Sequence, residues 1–68
     1  MKMKWIQFDK SNLPKGEILA GNFEKGTFGY GEKLIGYIHT YSNIIHCVSE
    51  SSSVKNVTHY IDIHQFEP

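Results

Sequence analysis

The chain has 68 residues and a mass of 7.8 kDa, which is the size of one small domain. Seven basic residues balance seven acidic ones, so the composition lacks the positive excess that gives nucleic-acid binders most of their non-specific affinity, and it does not oppose association into homo-oligomers. The single cysteine, Cys47, excludes an internal disulfide, and this predicts a reducing compartment, the cytoplasm.

The N-terminal part of the chain predicts two strands joined by a turn. The strands cover residues 4–8 and 17–23, and we expect Trp5 and Phe23 to fill the core. Between the strands, Leu13-Pro14-Lys15-Gly16 fits a type I turn whose leucine packs into the core, because proline favours the second position and glycine the fourth. The chain has no apolar run of the length found in a signal peptide or a membrane span, which predicts a protein that is not exported and has no membrane partner.

Residues 24–33 are the least regular part of the chain and predict a loop that is rich in glycine and aromatic residues. Its glycines permit positive φ and can turn N–H groups inward to hold an anion, and its aromatic rings can stack on a base or another planar ligand. The segment lacks the lysine and serine of a phosphate loop, and it does not match the dinucleotide fingerprint. The alternative is a wide hairpin loop whose aromatic side chains fold back on the sheet. The candidate residues are Gly26, Phe28, Gly29, Tyr30 and Gly31.

The second half of the chain predicts a hairpin followed by a loop. Residues 34–41 and 44–49 alternate as strands, and Ser42-Asn43 between them predicts a two-residue turn. Residues 50–56 are polar and predict a loop. The hairpin therefore follows directly from local sequence, although its register does not.

Residues 57–63 give the clearest strand alternation in the chain, and residues 64–68 predict a tail. One face of this strand carries Val57, His59, Ile61 and Ile63, and the other carries Thr58, Tyr60, Asp62 and His64. Short apolar runs bounded by turn residues, with no window of helical spacing, predict an all-β domain. We expect a small antiparallel sheet or partly closed barrel of about four to five strands.

Nine aromatic residues are more than a core of this size can bury, so some are expected at the surface. Tyr37, Tyr41 and Tyr60 fall on predicted strands and are expected to form one tyrosine-lined face. Together with Phe28 and Tyr30, this face is the predicted contact surface, because aromatic residues are enriched in protein interfaces.

The residues that most often carry chemistry do not converge in the predicted strands. His46 and Cys47 are adjacent and therefore point to opposite faces, while His39 and His46 could meet across the hairpin without completing a zinc site. We expect Cys47 to be a small core residue rather than a nucleophile. The acidic residues are scattered. The sequence therefore predicts a protein that is not an enzyme and has no catalytic residues, metal or cofactor.

Several segments carry a family resemblance. They are Trp5-Ile6-Gln7-Phe8, Leu13-Pro14-Lys15-Gly16, Ile18-Leu19-Ala20, Ile35-Gly36-Tyr37 and Val57-Thr58-His59-Tyr60-Ile61-Asp62-Ile63. In order, they are similar to the W-I-x-V, L-P-x-x-G, V-L-V, V-G-Y/W and V-T-H-W-x-P-L-P motifs of domain-of-unknown-function family 551. The chain departs from the family where Asp62 and His64 replace prolines, and where the glycine-rich segment after Phe23 is longer.

The resemblance implies an origin more than an activity. The family is common in bacteriophage and prophage genomes and has no established biochemical function, so no catalytic role passes to Thr58 or His59. By analogy, we expect a phage-type accessory protein in the host-cell cytoplasm that binds, and thereby inhibits, a host defence protein. The alternative is a protein that sequesters a small molecule or nucleotide in its 26–31 loop.

Overall fold

The computed structural model describes residues 4–62, and this part of the chain contains strands and turns but no helix. It therefore holds no helix that could cross a membrane. The strands are β1 (Ile6–Gln7), β2 (Ile18–Gly21), β3 (Lys33–Tyr41), β4 (Ile44–Val48), β5 (Ser53–Val54) and β6 (His59–Ile61). The predicted all-β fold is confirmed. Ile63 and the predicted tail lie outside the described residues.

The strands form one open antiparallel sheet in the order β1-β6-β2-β3-β4-β5. The described sheet has more strands than the four to five expected. The additional strand is β5, which consists of two residues within the predicted polar loop, where Val54 pairs with Cys47 of β4. A serine-rich segment gives no strand signal of its own, so this pairing arises from tertiary contact.

Strand β3 belongs to both halves of the sheet. Its first part, Lys33–Gly36, pairs with β2, and its second part, Tyr37–Tyr41, pairs with β4. Gly36 lies where the partner changes, and a Cβ atom at this position would overlap the Val48 carbonyl group. Only glycine lets the β4 backbone approach this closely, so Gly36 is what allows the two halves to fold over one another.

The core lies between the two halves of the sheet. Ile18 and Ala20 of β2 face inward from one half, and Ile45 and Cys47 of β4 face inward from the other. The remaining members of the buried cluster are Val54 and Val57, and the residues packed against it are Phe8, Leu13, Leu34, Ile38 and Tyr60. The predicted core positions of Leu13 and Cys47 are thus confirmed.

The chain changes its neighbouring strand just before β6. The Val57 N–H donates to the Ile45 carbonyl at 2.9 Å, and the next N–H, of Thr58, donates to the Gly21 carbonyl at 2.9 Å. Val57 and Tyr60 both contact the core although they are three residues apart, which one regular strand cannot achieve. The uninterrupted alternation expected over 57–63 is therefore wrong at its beginning.

The hairpin of β3 and β4 forms as expected. Ser42 and Asn43 have φ values of 51° and 64°, which fit a type I′ turn and its right-handed strand twist. The turn fixes the register, so that Tyr41 pairs with Ile44 and His39 pairs with His46. The Lys10 ammonium donates to the Asn43 carbonyl at 2.8 Å and ties the segment after β1 to this turn.

Candidate functional site

The outward side of the hairpin is an aromatic and apolar surface that no described residue covers. We call it the hairpin face, and it consists of Tyr37, His39, Tyr41, Ile44, His46 and Val48. The exposed fractions are 53% for Tyr37, 61% for Tyr41 and 44% for Ile44. Because alternate residues of a strand face opposite sides, the same two strands that build the core also present this surface.

The two histidines of the hairpin face lie directly opposite each other. His39 pairs with His46 across the hairpin, and the Tyr41 ring meets the His46 ring edge-on, with centroids 5.2 Å apart. Within residues 4–62, no three histidine, cysteine or acidic side chains gather as metal ligands. The histidines therefore extend the aromatic surface, and the face offers rings rather than a closed coordination site.

The predicted glycine-rich loop is built around one buried side chain, that of Asn22. Its side-chain N–H₂ donates to the Thr27 hydroxyl at 3.0 Å and to the Phe28 carbonyl at 3.2 Å. Its side-chain carbonyl accepts from the Glu24 N–H at 2.9 Å. Asn22 has no exposed surface, and because its amide is fully used within the protein, it holds the loop in one conformation.

The backbone of this loop uses its own N–H groups. Those of Thr27, Tyr30 and Glu32 donate to carbonyls three residues earlier, and that of Gly31 donates to the Asn22 carbonyl at 2.7 Å. Three loop glycines, Gly26, Gly29 and Gly31, have φ between 83° and 88°. The positive φ values therefore serve a series of tight turns, and the N–H groups named here are not directed at an external anion.

The locked loop carries the most exposed large apolar side chain described here. Phe28 is 85% exposed and Tyr30 is 50% exposed. Phe28 lines a shallow groove of about 460 Å³ together with Ile44 and His46 of the hairpin face and with Lys55. The loop therefore places Phe28 beside the hairpin face, so that these side chains form one continuous surface.

Tyr60 does not belong to the predicted tyrosine-lined face. It pairs with Ala20 of β2, and its ring lies 4.8 Å from that of Phe8, against the core. The sequence placed it with Tyr37 and Tyr41 because all three fall on strands. Pairing with β2 turns Tyr60 inward, and strand alternation alone does not reveal that pairing. The contact surface therefore contains Tyr37 and Tyr41 but not Tyr60.

A second group of aromatic residues lies on the other half of the sheet. We call it the Phe23 cluster: Trp5 and His59 meet the Phe23 ring edge-on at 4.8 and 5.3 Å, and the Lys33 ammonium lies 5.3 Å from its centre. The Thr58 hydroxyl accepts from the Phe23 N–H at 3.0 Å and lies 2.7 Å from His59 Nδ1. The Thr58-His59 pair thus supports this cluster. Trp5 and Phe23 are half-buried here rather than in the main core.

Cys47 is held inside the core and away from solvent. Its side chain has no exposed surface, and its Sγ lies 3.4 Å from the Leu34 carbonyl oxygen, which accepts from the thiol. Burial raises the pKa of the Cys47 thiol above its ordinary value. A neutral, enclosed thiol is not suited to nucleophilic attack.

A groove of about 570 Å³ crosses the outward side of the sheet at Gly36. Tyr37 and His39 line it, as do the carboxylates of Glu17 and Glu50. Sequence reasoning missed both glutamates and Asn22. No local signal marks them, because Glu17 and Glu50 meet only through the fold and Asn22 looks like an ordinary residue after a strand.

No protein-family model, curated protein or solved structure matches the chain.

Proposed function

We propose that this protein is a non-catalytic binding module that contacts another protein through the hairpin face and Phe28. The observation that carries the proposal is Phe28, 85% exposed on a loop that a buried amide holds rigid. Exposing a phenylalanine gives no stability to the free protein. A preorganised aromatic side chain instead lowers the entropy cost of association, as in interface hot spots.

The shape of the surface supports a protein partner. The hairpin face is broad, its Tyr37, Tyr41 and Ile44 side chains are more than 40% exposed, and the groove beside Phe28 is shallow. Small-molecule sites bury most of their ligand in a concave pocket. Rings and apolar side chains around one protruding aromatic residue resemble the centre of a protein interface.

Photo-crosslinking in cells tests the proposal directly. A benzophenone amino acid replaces Phe28 in one protein, and replaces Lys15, which is exposed on the segment before β2, in a matched control. We expect irradiation to give a discrete covalent adduct with a second protein from position 28 and not from position 15. Mass spectrometry of the adduct then identifies the partner.

The triple variant Tyr37→Ser, Tyr41→Ser and Phe28→Ser provides the second arm. It removes rings that are mostly exposed, so we expect the fold to persist, which circular dichroism verifies. A partner found by crosslinking should no longer co-purify with this variant. Retention of the partner, or crosslinking of equal strength from both positions, would refute binding through this surface.

The more specific proposal is that the partner is a host protein and that the module is a phage accessory factor that inhibits a defence system. It rests on the resemblance to family 551 and on analogy with small phage proteins. Its test is expression of the protein in a bacterial host during phage challenge. Restored plaque formation by wild type, but not by the triple variant, is the expected result, and equal plating on both would contradict it.

A second candidate function is the binding of a planar anionic ligand such as a nucleotide. The observation in its favour is the groove beside Phe28, which Lys55 also lines. Glu24 lines the same groove and opposes an anion there. The loop N–H groups of Thr27, Tyr30, Gly31 and Glu32 already donate to carbonyls of the protein. They are therefore not directed at an anionic ligand, which counts against this function. A nucleotide panel in a thermal-shift assay tests it: stabilisation that disappears in Phe28→Ala and Lys55→Gln supports this function, and no stabilisation by any nucleotide excludes it.

A further inference from the structure

The 570 Å³ groove on the outward side of the sheet has a charge of one sign. Glu17 precedes β2 and Glu50 follows β4, and the fold brings both to the groove that Tyr37 and His39 line. No lysine lines it. The whole chain has a net charge of zero, but the two carboxylates make this groove locally negative.

Neither groove carboxylate has a partner within residues 4–62. Other carboxylates do: Asp9 accepts from the Ser11 hydroxyl at 2.6 Å, and Glu24 accepts from the Asn56 amide at 2.9 Å. Among the described residues, no hydrogen bond or ion pair engages the carboxylate of Glu17 or Glu50. The groove therefore presents unused acceptors beside an exposed ring.

We infer that this groove receives an arginine or lysine side chain of the partner protein. The inference rests on the proposed function and names the chemistry of the partner: a basic segment that crosses the hairpin face at Gly36. The cation lies between the carboxylates of Glu17 and Glu50, with its flat side or methylene stem against Tyr37. Tyr37, 53% exposed, supplies the ring face to which a cation is attracted.

An organic cation fits the groove better than a metal ion does. No three potential metal ligands converge in the described part of the chain, whereas a guanidinium offers several N–H donors at once to separate carboxylates. The apolar lining by Tyr37 and Val48 matches the carbon stem of a long basic side chain. A partner segment with arginine or lysine next to apolar residues would contact the groove and the hairpin face together.

A titration of the isotope-labelled full chain with an oligo-arginine peptide, followed by NMR, tests the inference. We expect saturable shifts of the amides of Tyr37, His39, Glu50 and Ser51, and no such shifts with an oligo-glutamate peptide. In the Glu17→Gln and Glu50→Gln double variant, affinity for oligo-arginine should fall about tenfold, because neutral amides keep the shape and remove the charge.

The double variant Asp9→Asn and Glu32→Gln is the matched control. It changes the net charge by the same amount, and neither residue lines this groove or the one beside Phe28. We expect it to bind oligo-arginine within about twofold of wild type, since surface charges outside the site contribute little. Equal weakening by both variants, shifts spread over the whole surface, or no saturable binding would overturn the inference.

The same variants separate this inference from the proposed function. If a crosslinked partner is lost from the triple hairpin-face variant but still binds Glu17→Gln/Glu50→Gln with wild-type affinity, the protein-binding function stands and the cation groove is refuted. If the partner binds both variants unchanged, the hairpin face itself is refuted. Loss of binding in both, with retention in Asp9→Asn/Glu32→Gln, supports both proposals.

Discussion

The Phe23 cluster and the hairpin face are both rich in aromatic residues, but only in the first is the central ring packed by other side chains of the chain and half-buried. Phe23 meets the rings of Trp5 and His59, and Lys33 covers its face. Tyr37 and Tyr41 are more than half exposed, although they lie on the longest strand of the sheet. Neighbouring segments thus decide whether a ring stabilises the fold or remains available to a partner.

The two regions are linked through Gly36, and substitution there should have the largest effect. We expect Gly36→Ala to destabilise the protein by about 3 kcal/mol, because the new Cβ would force the Val48 backbone away from β3. Urea denaturation measures the change. The control is Gly16→Ala, where a Cβ meets nothing within 4 Å but φ is 84°; it should cost about 1 kcal/mol. A loss from Gly36→Ala no larger than that from Gly16→Ala would show that the close approach of the Val48 backbone is not what requires glycine at position 36.

The Asn22 side chain holds the loop that carries Phe28 beside the hairpin face. We expect Asn22→Ala to cost about 2 kcal/mol, since it leaves the Phe28 carbonyl and the Glu24 N–H without their partner. Hydrogen exchange of the Gly31 amide should accelerate with it. Thr27→Val, which removes only one hydroxyl from the same network, should have a smaller effect. Unchanged exchange at Gly31 in Asn22→Ala would mean that the turns hold the loop without the amide.

Matched phenylalanine substitutions measure the contrast between the regions. Phe23→Ala should destabilise the protein by about 2 kcal/mol, because a half-buried ring leaves its neighbours. Phe28→Ala should change stability by less than about 0.5 kcal/mol, as is typical of exposed positions. Paired denaturation curves give both values. A loss from Phe28→Ala as large as that from Phe23→Ala would assign Phe28 to the fold rather than to binding.

The smallest expected effect is a loss of stability at high pH that arises from Cys47, on the inner side of the hairpin. Burial raises the pKa of the Cys47 thiol in the folded protein above its ordinary value of 9.0. The unfolded state therefore releases this proton first, and the stability that the neutral thiol contributes is full below pH 9 and declines as the pH rises above it. Denaturation curves between about pH 7 and about pH 10 should show a decline in stability that Cys47→Ala lacks. Parallel curves for the two proteins would contradict it.

The parts of the fold that sequence predicted are those set by near neighbours. The hairpin follows from two alternating runs and the short Ser42-Asn43 turn, and the inward position of Cys47 follows from the same alternation. Strand β5 could not be predicted, because Val54 becomes part of a strand only by pairing with Cys47. Long-range pairing also turns Tyr60 inward, which a period of two cannot specify.

The candidate site also contains residues that local sequence predicts and residues whose roles depend on long-range contacts. Phe28, Tyr37 and Tyr41 were found from residue type and alternation, and the structure places them on one surface. The roles of Asn22, Glu17 and Glu50 depend on which distant segments meet, and so a single sequence gave no sign of them. Asn22, for example, holds the loop but also lies within 3.5 Å of the Lys55 carbonyl oxygen, far along the chain.

The pairing of β1 with β6 has a consequence for the order of folding. Ile6 pairs with Tyr60, and Gln7 pairs with His59, so these two strands can meet only when a long loop closes. The β3–β4 hairpin needs only its own turn and can form in microseconds. We therefore expect the aromatic surface to be organised before the sheet is complete during refolding, with closure of the long loop between β1 and β6 as the slow step.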